Sequence, residues 1–314
     1  MDKNEFINKS WDIRMVTHEY KTHKIEKGIS HIKVGIIDSG VDRNHPGLNN
    51  VKKCISLIDS EPEVDLAGHG TMIAGQISGN GIIPGIAPEI EIISYKITNH
   101  KNQSKIPFFI EALESALNDG LSVLNMSFGF YLESDLEKNS QIEKIEMLFD
   151  ELYKRDVICI SSSGYKGADS SHYPSSFENV LSCQGLNKSG EKVNSNISAD
   201  FCLPTGDYDV NPIFDSNSTK EIEFVPVYLP IESSRNISKV TGLPLGYSFM
   251  SGESFSAAKL TGIVAILRSY YYRKFNEILD NKGTIRLLKE NSKIINGSYY
   301  PDLLKILNYI NSIS

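Results

Sequence analysis

The sequence predicts an α/β fold with a mainly parallel central sheet that helices cover on both faces. Short apolar runs, which are typical of buried parallel strands, recur along the chain up to residue 185. Amphipathic helical patterns lie between these runs. Strands that alternate with helices form βαβ units, and the crossover helices cover the sheet. The 314 residues contain no internal repeat and no low-complexity linker, so we expect a single domain over 1–314.

The predicted elements follow one another in a regular order. The strand-like runs cover residues 33–38, 90–97, 123–128, 157–163 and 179–183. Helices are predicted over 106–120 and 142–156, where apolar residues recur at helical spacing. The pattern then weakens, and 204–250 is predicted to be a loop-rich insertion with one hairpin, which is either a gate over a functional site or a passive surface loop. Helical spacing returns over 254–273 and 303–313.

Composition and charge exclude several classes of protein. The formal net charge is −7 and there is no long basic block, which argues against nucleic-acid binding, because that needs clustered Lys and Arg. There is no run of about 18 apolar residues that would span a membrane. The amino-terminal residues have no apolar stretch after a basic start, and only about 30 residues precede the first core strand, so no signal peptide or propeptide is expected. We therefore expect a cytoplasmic protein and, by default, a monomer.

The sequence predicts no cofactor. The four cysteines form no Cys-x-x-Cys pair, and Cys159 and Cys183 lie in strand-like runs, which favours buried free thiols over metal ligands. There is no glycine-rich phosphate-binding motif. Asp207, Asp209 and Asp215 share a loop that would suit calcium, but a solvated acidic loop is the simpler interpretation, so no metal site is predicted.

Three residues suited to nucleophilic catalysis lie at the ends of predicted elements. Asp38 ends the first strand, His69 begins an apolar helix between small residues, and Ser254 begins another helix beside a glycine. Each has an ordinary structural explanation, as a turn residue, a buried histidine or a helix cap. Together they meet a chemical requirement: a serine nucleophile needs a neighbouring base, and that base needs a buried carboxylate to fix its tautomer.

The segments around these residues resemble the three signatures of the subtilase family, in the family's order. The signatures are Asp38-Ser39-Gly40, Gly68-His69-Gly70-Thr71 and Gly252-Glu253-Ser254-Phe255-Ser256-Ala257. The resemblance extends from about residue 10 to residue 270, and it implies a serine-type endopeptidase with a three-layer α/β/α sandwich. It also implies that Asp38, His69 and Ser254 form the catalytic triad.

Two further segments resemble the walls of the family's substrate cleft. Residues 125–129 are similar to the strand that pairs with the substrate backbone and lines the first specificity pocket. Residues 161–164 are similar to the opposite wall of that pocket. The substrate-binding residues that this implies are Ser127, Phe128, Gly129, Ser163 and Gly164.

A closer likeness is to lantibiotic leader peptidases. The similar segments are Ser10-Trp11-Asp12-Ile13, GHGTMIAGQISGNGIIPGIAP at 68–88 and the run at 125–131. This likeness implies a protease that removes the leader from a ribosomally made, lanthipeptide-like precursor peptide. Two alternatives stay open: a general intracellular subtilase that degrades proteins, and a catalytically impaired relative that only binds peptides.

The sequence departs from the family pattern at two positions near the implied nucleophile. Tyr165 stands where the family has the Asn that donates a hydrogen bond to the oxyanion, and loss of one such donor lowers turnover by about 10²–10³-fold. Glu253 stands where Thr is usual, and a negative charge there would oppose the developing oxyanion unless the side chain points away. The backbone N–H of Ser254 remains as an oxyanion donor.

Overall fold

The computed structural model describes residues 3–130, 140–164, 172–194, 196–207 and 223–314. The strands are β1 Lys33–Asp38, β2 Val51–Ser56, β3 Glu91–Lys96, β4 Val123–Met126, β5 Ile158–Ser162, β6 Val180–Leu186, β7 Phe201–Pro204, β8 Val225–Tyr228, β9 Tyr247–Met250, β10 Ser292–Ile295 and β11 Ser298–Pro301. The helices are α1 Lys3–Asn8, α2 Trp11–Val16, α3 His69–Ser78, α4 Ile106–Ala116, α5 Ser140–Lys154, α6 Ile231–Thr241, α7 Ser254–Phe275, α8 Asn281–Glu290 and α9 Leu303–Ser312.

The central sheet has nine strands in the order β10-β11-β7-β6-β5-β4-β1-β3-β2. Its neighbouring pairs are parallel except β10 and β11, which form an antiparallel hairpin at one edge. This confirms the predicted, mainly parallel sheet. β1 has the predicted bounds, and β3, β4, β5 and β6 occupy the other predicted runs with ends shifted by at most three residues.

Helices cover both faces of this sheet. On one face α3 and α7 share a buried cluster with Val34 and Ile36 of β1. On the other face α4 and α5 share a second cluster with Ile37. The alternation follows from strand geometry, since successive side chains point to opposite faces. The arrangement confirms the predicted three-layer α/β/α sandwich and explains why its strands are apolar on both sides.

The residues from 223 to 250 depart from the loop-rich prediction. β8 and β9 form a separate antiparallel pair, and α6 lies between them in the chain. The sequence does not predict α6, because this helix has few apolar residues and buries only Ser234. A distant residue caps it: Asp42 Oδ2 accepts a hydrogen bond from Ile231 N at 2.9 Å. Residues 208–222 of the predicted insertion lie outside the described residues.

Two smaller predictions concern the cysteines and the membrane. All four cysteines are buried and carry free thiols, which confirms the prediction for Cys159 and Cys183. Within the ranges that the structure describes, no helix combines the length and the apolar character needed to cross a membrane.

Candidate active site

The carboxyl edge of the sheet brings the three predicted catalytic residues together. Asp38 is the last residue of β1, while His69 and Ser254 are the first residues of α3 and α7. His69 Nδ1 lies 2.8 Å from Asp38 Oδ1 and 2.9 Å from Oδ2, and His69 Nε2 lies 3.0 Å from Ser254 Oγ. An ionised carboxylate can only accept hydrogen bonds, so Nδ1 carries a proton and Nε2 of the neutral ring is an acceptor. General-base activation of a serine requires this arrangement.

The glycines beside His69 allow the close approach of its loop to β1. Gly68 has a φ of +97°, in the left-handed region that glycine adopts without strain, and it turns the chain into α3. A side chain on Gly70 would overlap the carbonyl oxygen of Gly40 and would lie 3.2 Å from Asp38 Cβ. The Gly-His-Gly pattern therefore has two causes: Gly68 adopts a left-handed backbone conformation, and Gly70 leaves room for the carbonyl group of Gly40 beside Asp38.

The hydroxyl of Ser254 has one proton and two acceptors. Its oxygen lies 3.0 Å from His69 Nε2 and 2.8 Å from the carbonyl oxygen of Ser127. In return Ser127 Oγ donates to the carbonyl oxygen of Ser254 at 2.9 Å, and Asn125 Nδ2 donates to Ser127 Oγ at 2.9 Å. The predicted substrate-binding residue Ser127 thus also holds the nucleophile. A short rotation of the hydroxyl suffices to direct its proton toward His69.

The protonation of His69 depends on Asp38. Burial opposes a charge on the ring, but the Asp38 carboxylate outweighs burial and raises the pKa of His69 above its ordinary value of 6.5. The Asp38 side chain is only 4% exposed, whereas the His69 side chain is 35% exposed at the cleft. Asp38 therefore stabilises the imidazolium that forms when His69 accepts a proton, while His69 stays accessible to a substrate.

A second buried carboxylate, Asp65, organises the His69 loop. Its Oδ1 accepts hydrogen bonds from Ser39 Oγ at 2.9 Å and from Gly68 N at 2.7 Å, and its Oδ2 accepts from Thr71 N at 2.9 Å. Ser39 Oγ in turn accepts from Gly70 N at 2.9 Å. These bonds join the residue after Asp38 to the first turn of α3. Sequence reasoning missed Asp65, because an aspartate in a loop has no local signal that separates it from an ordinary turn residue.

Glu253 is buried beside the nucleophile and is only 2% exposed. Its Oε1 accepts hydrogen bonds from Ser163 Oγ at 2.9 Å and from Gly185 N at 3.0 Å, while its side chain does not cap α7. Burial raises the pKa of Glu253 to about 8, although these two bonds partly oppose the shift. At neutral pH the side chain is therefore mostly uncharged, so it does not place a full negative charge beside Ser254.

The two predicted walls of the specificity pocket are joined by a histidine. The ring of His172 lies between Gly129 and Gly164, so a methyl group on either glycine would overlap it. The backbone of Phe130 pairs with that of Tyr173, which holds His172 beside Gly129. Burial lowers the pKa of His172 to about 4, so the ring is neutral. Sequence reasoning missed His172, and Tyr165, the predicted oxyanion position, lies outside the described residues.

An apolar cavity of about 450 Å³ opens beside the triad. It is lined by Asp38, Ser39 and His69, by the apolar residues Ile97, Ile106, Phe109, Phe128 and Phe130, and by polar residues that include Thr98, Asn102, Ser104 and Lys105. The predicted substrate-binding residues Ser127, Phe128 and Gly129 form one of its walls. Its size and lining suit a large apolar side chain of a peptide that lies in the cleft.

The described residues contain no group of three or more His, Cys, Asp and Glu side chains placed to hold a metal ion. Of the acidic loop residues considered for calcium, Asp207 is described, whereas Asp209 and Asp215 lie outside the described residues.

A parallel sheet with a Ser-His-Asp arrangement at its carboxyl edge defines a class of serine peptidases. Residues 30–292 match the model of the subtilase family, Peptidase_S8. The chain therefore belongs to the subtilase family.

Its relatives include leader peptidases. The chain is 27% identical to the nisin leader peptide-processing serine protease NisP of Lactococcus lactis subsp. lactis, over 98% of this chain and 50% of that protein. It is 28% identical to the epidermin leader peptide-processing serine protease EpiP of Staphylococcus epidermidis, over 48% of this chain and 36% of that protein. The matches thus span half or less of these relatives' length. A solved structure described as a lanthipeptide protease superposes with a TM-score of 0.82 and 25% identity, over 99% of this chain and 98% of the other.

Proposed function

We propose that this chain is a serine endopeptidase that removes the leader from a ribosomally made, lanthipeptide-like precursor peptide, with Asp38, His69 and Ser254 as its catalytic residues. The observation that carries the proposal is the hydrogen-bonded series from Asp38 through His69 to Ser254. Similarity to NisP along 98% of the chain, and to a lanthipeptide protease along 99%, supports the substrate class.

In the proposed reaction, His69 Nε2 takes the proton of Ser254 Oγ while that oxygen attacks the carbonyl carbon of the scissile bond. Asp38 holds the Nδ1–H group and stabilises the imidazolium. The backbone N–H of Ser254 donates to the oxyanion of the tetrahedral intermediate. His69 then gives its proton to the leaving amine, and an acyl-enzyme remains. A water molecule that His69 deprotonates releases the leader as a carboxylate and restores the hydroxyl of Ser254.

The proposal includes two groups of substrate-binding residues. In this proposal Ser127, Phe128 and Gly129 bind the peptide on one side, and Ser163 and Gly164 bind it on the other. The apolar cavity beside them takes a large apolar side chain of the leader. An extended leader segment would then contact the enzyme over several residues, which gives the selectivity that leader removal needs.

The first test is active-site labelling with a fluorescent fluorophosphonate, which reacts with activated serines. We expect the native protein to be labelled and the Ser254→Ala variant to stay unlabelled. Both proteins should show the same far-UV circular dichroism, so that a lost label reports the missing nucleophile. Folded native protein without a label would contradict the proposed catalytic residues.

The second test separates leader removal from general proteolysis. The native protein and Ser254→Ala are incubated with a panel of modified lanthipeptide precursors and, separately, with casein. We expect a Ser254-dependent cut at a single position between leader and core in at least one precursor, with casein degraded far more slowly. Rapid cutting of casein at many positions, with no preference for the leader junction, would favour a general degradative subtilase instead.

A further inference from the structure

The segment from Lys3 to Val16 contacts the chain on both sides of the nucleophile. The ring of Phe6 packs edge-on against Tyr247 at 5.6 Å and against Phe249 at 5.1 Å. Both aromatic residues belong to β9, the strand that leads into the loop before Ser254. This amino-terminal segment, comprising α1 and α2, is therefore part of the structure that supports the nucleophile.

A buried ion pair makes the second contact. Asp12 of α2 and Lys259 of α7 are both 0% exposed, and Lys259 Nζ lies 2.8 Å from Asp12 Oδ2. No other described residue forms a hydrogen bond with the ammonium or with the carboxylate. The ring of Phe255, the residue after the nucleophile, has its centroid 5.6 Å from Lys259 Nζ. Each charge therefore depends on the other for compensation.

The position of Lys259 couples this pair to the nucleophile. Lys259 lies five positions after Ser254 on the same helix, which corresponds to a rise of about 7.5 Å along the axis. Burial lowers the pKa of Lys259, and the nearby Asp12 carboxylate partly opposes that shift. If α2 left its place, Lys259 would be an uncompensated charge in a core with no polar partner. Lys259 would then have to lose its proton, or the first turns of α7 would have to move to bring the ammonium to water.

Buried ion pairs are weak contributors to net stability, because desolvation offsets the attraction between the charges. Removing one partner is nevertheless strongly destabilising, whereas replacing both by apolar residues of similar volume is often neutral. The pair is thus better suited to specifying where α2 docks than to holding the fold together. Because Lys259 belongs to α7, the docking of α2 also bears on the position of the helix that begins with Ser254.

We propose that Asp12 is a positioning residue for the peptidase reaction: by compensating Lys259, it makes docking of α2 a condition for the active placement of Ser254. The inference rests on the proposed function, because it takes Ser254 as the nucleophile. Asp12 touches no reacting atom and acts through Lys259 and the first turns of α7. The 3.0 Å contact between Ser254 Oγ and His69 Nε2 is the geometry that it protects.

The test compares four full-length proteins: the native chain, Asp12→Asn, the double variant Asp12→Leu with Lys259→Met, and the control Glu232→Gln. Glu232 is an exposed carboxylate on α6 that pairs with Arg235, so the control makes the same chemical change at an exposed pair on a different helix. Each protein is measured at a temperature at which its thermal unfolding curve shows it to be fully folded. The readouts are the rate of fluorophosphonate labelling and the values of kcat and KM for a peptide substrate.

We expect Asp12→Asn to lower the labelling rate and kcat of the folded protein at least tenfold with little change in KM. The double variant should recover most of that loss, and Glu232→Gln should match the native protein. Native labelling rates in folded Asp12→Asn would overturn the proposal, and so would a folded double variant that stays as slow as Asp12→Asn. If Asp12→Asn does not fold, the double variant decides alone: near-native labelling supports the proposal, and slow labelling overturns it.

The same experiment separates this proposal from the proposed function. Native protein that is folded and unlabelled, like Ser254→Ala, would refute the catalytic role of Ser254 itself. Native protein that is labelled normally, together with an equally fast Asp12→Asn, would refute only the positioning role of Asp12.

Discussion

Replacing Glu253 by glutamine removes the ionisable group of the residue before the nucleophile and changes its shape little. The amide keeps an oxygen that can accept from Ser163 Oγ and Gly185 N, as Oε1 of the carboxyl group does in the native protein. Oε2 has no hydrogen-bond partner among the described residues, so the carboxylate form is poorly compensated. The substitution therefore tests whether burial keeps Glu253 protonated.

The size of the effect follows from the two pKa values of this carboxyl group. Its ordinary pKa is 4.5, and burial raises the pKa to about 8 in the folded protein. At pH 7 the carboxyl group is ionised in the unfolded chain and mostly protonated in the folded protein, so Glu253 takes up a proton on folding. At about 1.36 kcal/mol per pH unit, this proton uptake lowers the unfolding free energy by about 3 kcal/mol. The unfolding free energy of the native protein therefore falls as the pH rises from 4.5 to 8. Glutamine has no such dependence, so the variant should be more stable by up to about 3 kcal/mol at pH 7.

The assay is urea unfolding of Glu253→Gln and its parent, both with Ser254→Ala so that the protein cannot digest itself. We expect their difference in unfolding free energy to be small at pH 4.5 and to grow with pH up to about 8. Glu232→Gln, an exposed control, should change the unfolding free energy by less than about 0.5 kcal/mol. A difference that stays constant between pH 5 and pH 8 would refute the reasoning, because it would mean that Glu253 does not change its ionisation on folding.

Three further substitutions test the site. Asp38→Asn should lower kcat about 10⁴-fold by favouring the wrong tautomer. In the native protein kcat/KM should fall as the pH drops through a value above 6.5, because only the neutral His69 ring accepts a proton. Burial alone would lower the pKa of His69, but the Asp38 carboxylate outweighs burial and raises this pKa above 6.5. An acid limb at or below 6.5 would contradict this. Asp65→Asn should lower the unfolding free energy by about 1.5–3 kcal/mol, since the amide cannot accept hydrogen bonds at both ends. The substitution should also lower kcat more than it changes KM, and an unchanged kcat would contradict this prediction. His172→Gly should raise kcat/KM for p-nitroanilide substrates with a large aromatic residue before the scissile bond, relative to kcat/KM for substrates with alanine at that position. If the ratio of these two values is unchanged, His172 is excluded from the pocket.

Local sequence patterns were sufficient to predict five of the nine strands of the central sheet and the placement of the three candidate catalytic residues at the ends of elements. The run at 33–38 is apolar throughout because both faces of β1 are covered, and its bounds agree with the structure. Asp38 ends that strand, and His69 and Ser254 begin their helices, as predicted. Parallel strands end at one edge of a sheet, so local patterns of this kind already indicate which residues meet. The subtilase resemblance then supplied the roles that the patterns alone left open.

Long-range contacts explain why other features could not be predicted. α6 has a weakly apolar sequence, and its first turn is capped by Asp42, which lies 189 positions earlier in the chain. Asp65 has no local pattern that marks it, because its importance depends on Ser39 and on the first turn of α3. The place of His172 in the pocket wall is evident only from the structure, where its ring lies between Gly129 and Gly164.

The sequence by itself determined the fold class, the subtilase family and the three residues proposed as catalytic, because strand runs, helix starts and family signatures are local. Only the tertiary structure decided how these residues are charged and held. Burial raises the pKa of Glu253, against the hydrogen bonds from residues 68 and 90 positions away, and Lys259 is compensated by Asp12 from the other end of the chain. Desolvation and charge pairing depend on what surrounds a group in space, and the order of residues along the chain does not record that.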